Sequence, residues 1–235
     1  MRKVLCGIGA ALLVAICAMP ADAEHLCDPA GEDCREILLN LIRNETVGID
    51  VAFWFMEDGR YAAELIRRAQ AGVPIRVLID TRANAAHPVD VTLVEQLRAA
   101  GIPLRQRTGA GILHWKMMLF AGQGQVEFSG ANYSPDALVF TDPFHNYVDE
   151  AVMFSDEAAT VHSFMQRYDD LWTNTTLYAN YANVTGALQR RYPSFPISPE
   201  LNFPPSVSYR DRAVAAHDPG GTRHQESARR GASDE

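Results

Sequence analysis

Two short runs of branched and aromatic residues, Val47 to Phe55 and Val73 to Ile79, restrict the fold more than any other feature of the sequence. Each is apolar almost without interruption, the pattern of a strand buried on both faces. Between them, Gly59 to Ala71 carries Leu65, Ile66 and Ala69 on one face and stops at Gly72, which predicts a helix. Buried strands joined by a helix lie parallel, because the crossover must return the chain to the same end of the sheet. Val89 to Ala100 repeats the helical pattern, Gly101 ends it, and Ile102 to Gln106 reads as a third strand. Asp33 to Asn44, with Ile37, Leu38, Leu41 and Ile42 at helical spacing, predicts a helix that covers the sheet. The expectation is an α/β fold with a mixed, mainly parallel sheet flanked by helices.

Residues 112 to 132 follow a different pattern. Ile112 to Ala121 runs into the Gly-rich turn Gly122-Gln123-Gly124-Gln125, and a second apolar run from Val126 follows, which reads as a hairpin. His114 and Lys116 stand two apart and so share one face of a strand. Asn132 lies just past the return strand. The chain has only two lysines, Lys3 and Lys116, beside many arginines. The compact ammonium at 116 therefore stands out from a background of guanidinium groups. An imidazole, a fixed positive charge and an amide converging on one spot suit a phosphoryl group. Trp115, between the pair, is expected to pack on the opposite face.

The order His-x-Lys, a turn, then Ser129-Gly130-Ala131-Asn132 resembles the HxKxxxxD…GSxN signature of the phospholipase D superfamily, over residues 36 to 172. Two positions depart from it. Ala121 stands where the family carries Asp, and Gly130 where it carries Ser, with Ser129 one place earlier. Some members of the superfamily work with a His-Lys-Asn set that lacks the Asp. The resemblance implies a phospholipase D-like fold and cleavage of phosphodiesters by two such sets facing one phosphate, with no metal or cofactor. One His attacks phosphorus, the other protonates the leaving oxygen and then activates water. Lys116 and Asn132 would hold the non-bridging oxygens. An acid on the next strand would orient His114, with Asp149 and Glu150 as candidates on opposite faces and Glu150 preferred. One set per chain implies a symmetric homodimer that completes the site on its two-fold axis.

The first 23 residues, with Arg2 and Lys3, an apolar run from Val4 to Met19 and Ala21-Asp22-Ala23, read as a signal peptide. That predicts a secreted or periplasmic protein with no transmembrane anchor after processing. Cys27 and Cys34, in a segment spanning 24–35, are then expected to form a disulfide. Zinc would need more ligands than His25 supplies. Asp80 and Arg82, after the second buried strand, read as a surface ion pair or turn. Tyr133 to Asn146 reads as a loop, Tyr147 to Phe154 as a strand, and a helix capped by Ser155 or Asp156 runs to Trp172. His25, His217 and His224 fall in tails, His87 and His162 read as surface or helix residues, and His145 could line the pocket. Residues 173–212, rich in Tyr and Pro, read as an extended segment, and 213–235 as disordered.

Between Glu24 and Trp172 there are 22 acidic and 12 basic residues, a net of −10. Avid nucleic-acid binders carry the opposite sign. Three functions remain: a secreted phosphodiesterase acting on phospholipid head groups, a small dimeric endonuclease of the same superfamily, and an inactive or truncated half of a two-motif protein.

Overall fold

In the computed structural model, residues 24–140, 150–198, 201 and 203 are described. The segment 1–23 read as a signal peptide, Asp149, His145 and the tail from 204 lie outside them. The elements in chain order are β1 (Glu24–Cys27), α1 (Cys34–Asn44), β2 (Ile49–Phe53), α2 (Gly59–Gln70), β3 (Ile75–Ile79), α3 (Pro88–Ala99), β4 (Leu104–Arg107), β5 (Lys116–Phe120), β6 (Gln125–Ser129), β7 (Val152–Ser155), α4 (Ala158–Thr173) and β8 (Tyr178–Ala182). They build one sheet in the order β1-β7-β6-β5-β2-β3-β4-β8.

The sheet is mixed and flanked by helices, but its parallel part is smaller than the crossover pattern suggested. Only β2–β3 and β3–β4 pair parallel. The remaining five pairings are antiparallel. Two of these come from segments without a strand pattern: β1 from the cysteine-bearing N-terminal stretch, and β8 from the Tyr-rich stretch beyond Trp172. Both sit on the edges, where four or five residues suffice to extend a ladder that already exists.

Every residue of β2, β3 and β5 is buried, as the continuous apolar runs require. Val51, Phe53, Val77, Ile79, Met118 and Phe120 face α1, α2 and α3. Ala52, Leu78, Met117 and Leu119 face α4, which presents Val161, Phe164, Met165, Tyr168 and Leu171. Asp33 and Asp58 cap α1 and α2 through the amides of Glu36 and Arg60. The cap of α4 is Glu157, which accepts from Ala159 and Thr160, and not Ser155 or Asp156. Ser155 serves one step earlier and accepts from the Glu157 amide. A Cys27–Cys34 disulfide ties β1 to the start of α1.

Beyond β8 the chain packs back along α4. Arg191 and Tyr192 donate their amides to Asp169, and the Tyr192 hydroxyl donates to Asp50 at 2.7 Å. Asp50 and Asp169 also hold the buried Arg76, at 2.6 and 2.8 Å. The α4 surface under this segment is thus closed by a hydrogen-bonded charge network. No helix of the described residues is long and apolar enough to cross a membrane.

Candidate active site

Lys116 is the first residue of β5 and pairs with Phe53, the last residue of β2. His114 lies before the ladder begins, because β2 offers no partner beyond Phe53; the expected strand from Ile112 starts four residues later. The pair still converges: the Lys116 ammonium stands 3.1 Å from Nε2 and 3.2 Å from Nδ1 of His114. Lys116 is buried, with 2% of its surface exposed, while His114 is exposed on the Lys116 side of the sheet rim. The Trp54 ring lies 6.0 Å from the imidazole. Partial burial, followed by the charge of Lys116, lowers the His114 pKa below its ordinary value of 6.5. His114 is therefore a neutral imidazole at pH 7, as a nucleophile must be. Burial also lowers the Lys116 pKa, and the charge of Glu150 opposes that shift.

What replaces the ladder ahead of Lys116 is a carboxylate. Asp80, at the end of β3 and 1% exposed, accepts the Leu113 amide at 2.9 Å. Arg82 neutralises it through two side-chain bonds of 2.7 and 2.6 Å. The ion pair expected of these two residues is present, and it also fixes the backbone immediately before His114.

Asn132 follows β6, and its Oδ1 is buried without a hydrogen-bond partner among the described residues. Its neighbours are firmly held: the Tyr133 carbonyl accepts from Glu57 and Asp58, each at 2.9 Å. The Tyr133 hydroxyl donates to Glu127 at 2.7 Å. Burial pushes the Glu127 carboxyl up to about 8, against the hydrogen bonds from Tyr133 and Ser129. Asn132 thus sits on a rigid mount, with its Oδ1 unpaired among the described residues.

Glu150 reaches this region from the opposite side. A Cβ on Gly130 would meet its carboxylate, so a larger residue at 130 requires the Glu150 side chain to move. No hydrogen bond joins Glu150 to His114 among the described residues, and its charge acts on Lys116.

Ala121 is at the far end of β5, roughly 16 Å along the strand from Lys116. A family Asp there would be remote from the reacting groups. The turn is held instead by Glu45, fully buried after α1, whose carboxylate accepts the amides of Thr46, Val47, Gly48, Gly122 and Gln123 at 2.6 to 3.2 Å. Burial alone would raise the Glu45 pKa, but these amides lower it.

Trp115 packs on the α4 face against Phe164 and Phe203, 5.7 and 5.6 Å away. His87 stacks on Phe55 and His162 on Phe195, so both are occupied by packing. Sequence reasoning missed the anchoring role of Asp80, and Glu45 and Glu127 altogether. The available signal was an acid inside or beside an apolar run.

The chain matches the family described as "Cardiolipin synthase, PLD-like domain" over residues 38–172. The fold resembles that of Nuc from Salmonella typhimurium, described as a phospholipase D family member, with TM-score 0.56 and 19% identity, covering 68% of this chain and 97% of Nuc. NucT from Helicobacter pylori gives TM-score 0.52 at 15% identity, over 63% of this chain and 93% of NucT. Phosphatidylserine synthase from Haemophilus influenzae gives TM-score 0.52 at 20% identity, over 73% of this chain and 41% of the synthase. No curated protein matches by sequence. With more than half of its length matched by that one family, the chain belongs to the PLD-like domain family of cardiolipin synthase.

Proposed function

We propose that the chain supplies one half of a metal-independent phosphodiesterase site of phospholipase D type. The observation that carries this is the contact of 3.1 Å between the Lys116 ammonium and His114, whose pKa burial and that charge lower. His114 attacks phosphorus, its bond to phosphorus forms as the bond to the leaving oxygen breaks, and a second histidine donates the proton that oxygen needs. Water, deprotonated by that second histidine, then releases the phosphohistidine. Lys116 and Asn132 stabilise the charge on the non-bridging oxygens. Asp80 holds the backbone of His114, and Glu150 keeps Lys116 charged. The second set comes from another copy of this chain, in a symmetric homodimer.

As substrate we assign phospholipid head groups, for an exported protein. The net charge of −8 supports this over a polyanionic nucleic acid. The endonuclease reading is favoured by one observation, the match to nearly the whole length of Nuc and NucT. A half-site that pairs with a different polypeptide is favoured by another, since the same fold fills 41% of the synthase.

The test is cleavage of bis(p-nitrophenyl) phosphate in EDTA by size-fractionated protein. Turnover confined to the dimer and lost in His114→Ala is expected, followed by faster cleavage of phospholipid vesicles than of single-stranded DNA. No turnover in any fraction contradicts the homodimer and points to a different partner half.

A further inference from the structure

The β1 edge of the sheet gathers four side chains with the chemistry of metal ligands. β1 pairs antiparallel with β7, which sets His25 opposite Phe154 and Cys27 opposite Val152. Residues two apart share a face of a strand, so the imidazole and the sulfur lie on one side. The turn after β1 then doubles back, with the Gly31 and Glu32 amides donating to the Asp28 carbonyl, each at 2.9 Å. That brings the Glu32 carboxylate to 3.0 Å from Nε2 of His25. Cys34 opens α1 and is bonded to Cys27. In sequence the four read His-x-Cys, four residues, then Glu-x-Cys.

A histidine beside a glutamate on a protein surface is ordinary by itself. Here one donor atom from each of His25, Cys27 and Glu32 lies within 4.8 Å of the others, and the Cys34 sulfur is bonded to that of Cys27. Two sulfurs, a nitrogen and an oxygen match the tetrahedral donor set of a zinc site, whose ligand atoms stand about 3.3 to 3.8 Å from one another. The set that His25 and the cysteines alone leave short is completed by Glu32. Both cysteines are fully buried, whereas the His25 and Glu32 side chains are 40% and 43% exposed. The sulfurs therefore form the floor, and an ion enters from solvent past the imidazole and the carboxylate. Joined as a disulfide the sulfurs do not ligate; as thiolates both do.

We infer that His25, Cys27, Glu32 and Cys34 form a redox-gated zinc site, closed by the Cys27–Cys34 disulfide and opened by its reduction. With a phosphine as reductant, phosphorus attacks one sulfur as the S–S bond breaks, and water supplies the oxygen of the phosphine oxide and the two protons of the thiols. A dithiol achieves the same by exchange and leaves as its own disulfide. Zn²⁺ then displaces the two thiol protons and binds both thiolates, the imidazole and the carboxylate, with no change in its own oxidation state. The site lies three strands away from β5 in the sheet. The inference stands whether or not the His114–Lys116 set cleaves phosphodiesters.

The experiment is a Co²⁺ titration of the full chain carrying Cys6→Ser and Cys17→Ser, which removes the other two of its four cysteines. The chain is reduced with a phosphine and freed of it under argon. Cobalt stands in for zinc, and reports thiolate ligands by a near-ultraviolet charge-transfer band and tetrahedral geometry by strong visible bands. One Co²⁺ per reduced chain is expected, with both sets of bands, and added Zn²⁺ should bleach them. The oxidised chain should show neither. His25→Ala and Glu32→Gln should each weaken binding at least about tenfold, since even a partner behind a ligand contributes that much. Cys27→Ser with Cys34→Ser should remove the charge-transfer band. Circular dichroism of each variant identifies a folding defect, and His25 and Glu32 lie on an edge strand and a turn, so the two do not share one. Absence of the bands in the reduced chain overturns the inference. So do bands that survive both His25→Ala and Glu32→Gln unchanged, or equal binding by the oxidised chain.

Discussion

The two ends of the β5–β6 hairpin are built on opposite principles. At the turn, one buried carboxylate, Glu45, accepts five backbone amides from two segments, and its charge is fully engaged. At the open end, the buried Asn132 oxygen has no partner among the described residues and the buried Lys116 ammonium faces an exposed His114. Satisfied polar groups make a turn rigid; unsatisfied ones, held by rigid neighbours, are poised for a ligand. The hairpin teaches that the family Asp missing at Ala121 belongs to the structural end. Its absence leaves the contact of Lys116 with His114 in place.

The sharpest test of this contrast replaces one charge at each end. Lys116→Met should lower turnover of bis(p-nitrophenyl) phosphate by about 100- to 1,000-fold, with the melting temperature unchanged or higher, because a buried ammonium is replaced by an apolar chain of similar length. Glu45→Gln should do the reverse. Loss of an ionised acceptor for several amides should destabilise the fold by about 2 kcal/mol in urea denaturation while turnover per folded molecule stays near normal. Because the native amides lower the Glu45 pKa, its contribution is present above the unfolded carboxyl's ordinary range and is lost as pH falls through the lower native value. The acid limb of the stability profile should therefore flatten in Glu45→Gln.

Glu127 titrates in the opposite sense. Its carboxyl is pushed up to about 8 from an ordinary value of 4.5. Between those values the unfolded chain ionises while the native carboxyl stays protonated, so stability falls as pH rises and levels off above about 8. Glu127→Gln should remove that slope, which denaturation curves at pH 5, 7 and 8.5 would detect. Asp80→Asn keeps the shape of the anchor but not its charge; kcat should fall about tenfold with KM little changed, since the residue orients His114 without touching substrate. A matching fall in the folded fraction, read by thermal melts, would argue for a general folding effect instead. The smallest effect is expected from Ala121→Asp. Restoring the family residue should not raise turnover, and the new carboxylate beside Glu45 should cost about 0.5–1 kcal/mol of stability.

Much of this was legible in the sequence where the signal is local. The periodicity of Leu38, Ile42 and Leu65 and the continuous runs at β2 and β3 are set by what each segment buries, so they announce themselves. The convergence of His114 and Lys116 was legible because residues two apart share a side of an extended chain. The antiparallel edges were not, since Glu24–Cys27 and Tyr178–Ala182 become strands only when β7 and β4 offer a ladder. Nor were the roles of Asp80 and Glu45: a carboxylate's task depends on which amides the fold brings to it, and Leu113 and Gly122 are far away in sequence. Glu150 was legible as an acid near the site, but its placement against Gly130 and Lys116 depends on packing.

The most direct measurement of the central claim is a search for the covalent intermediate. Protein quenched during turnover of a phosphorus-labelled phosphodiester should carry an acid-labile, base-stable phosphoryl group, mapped by mass spectrometry to His114 and absent from His114→Ala. Sustained turnover with no label on His114, or turnover by His114→Ala at the wild-type rate, would contradict the account.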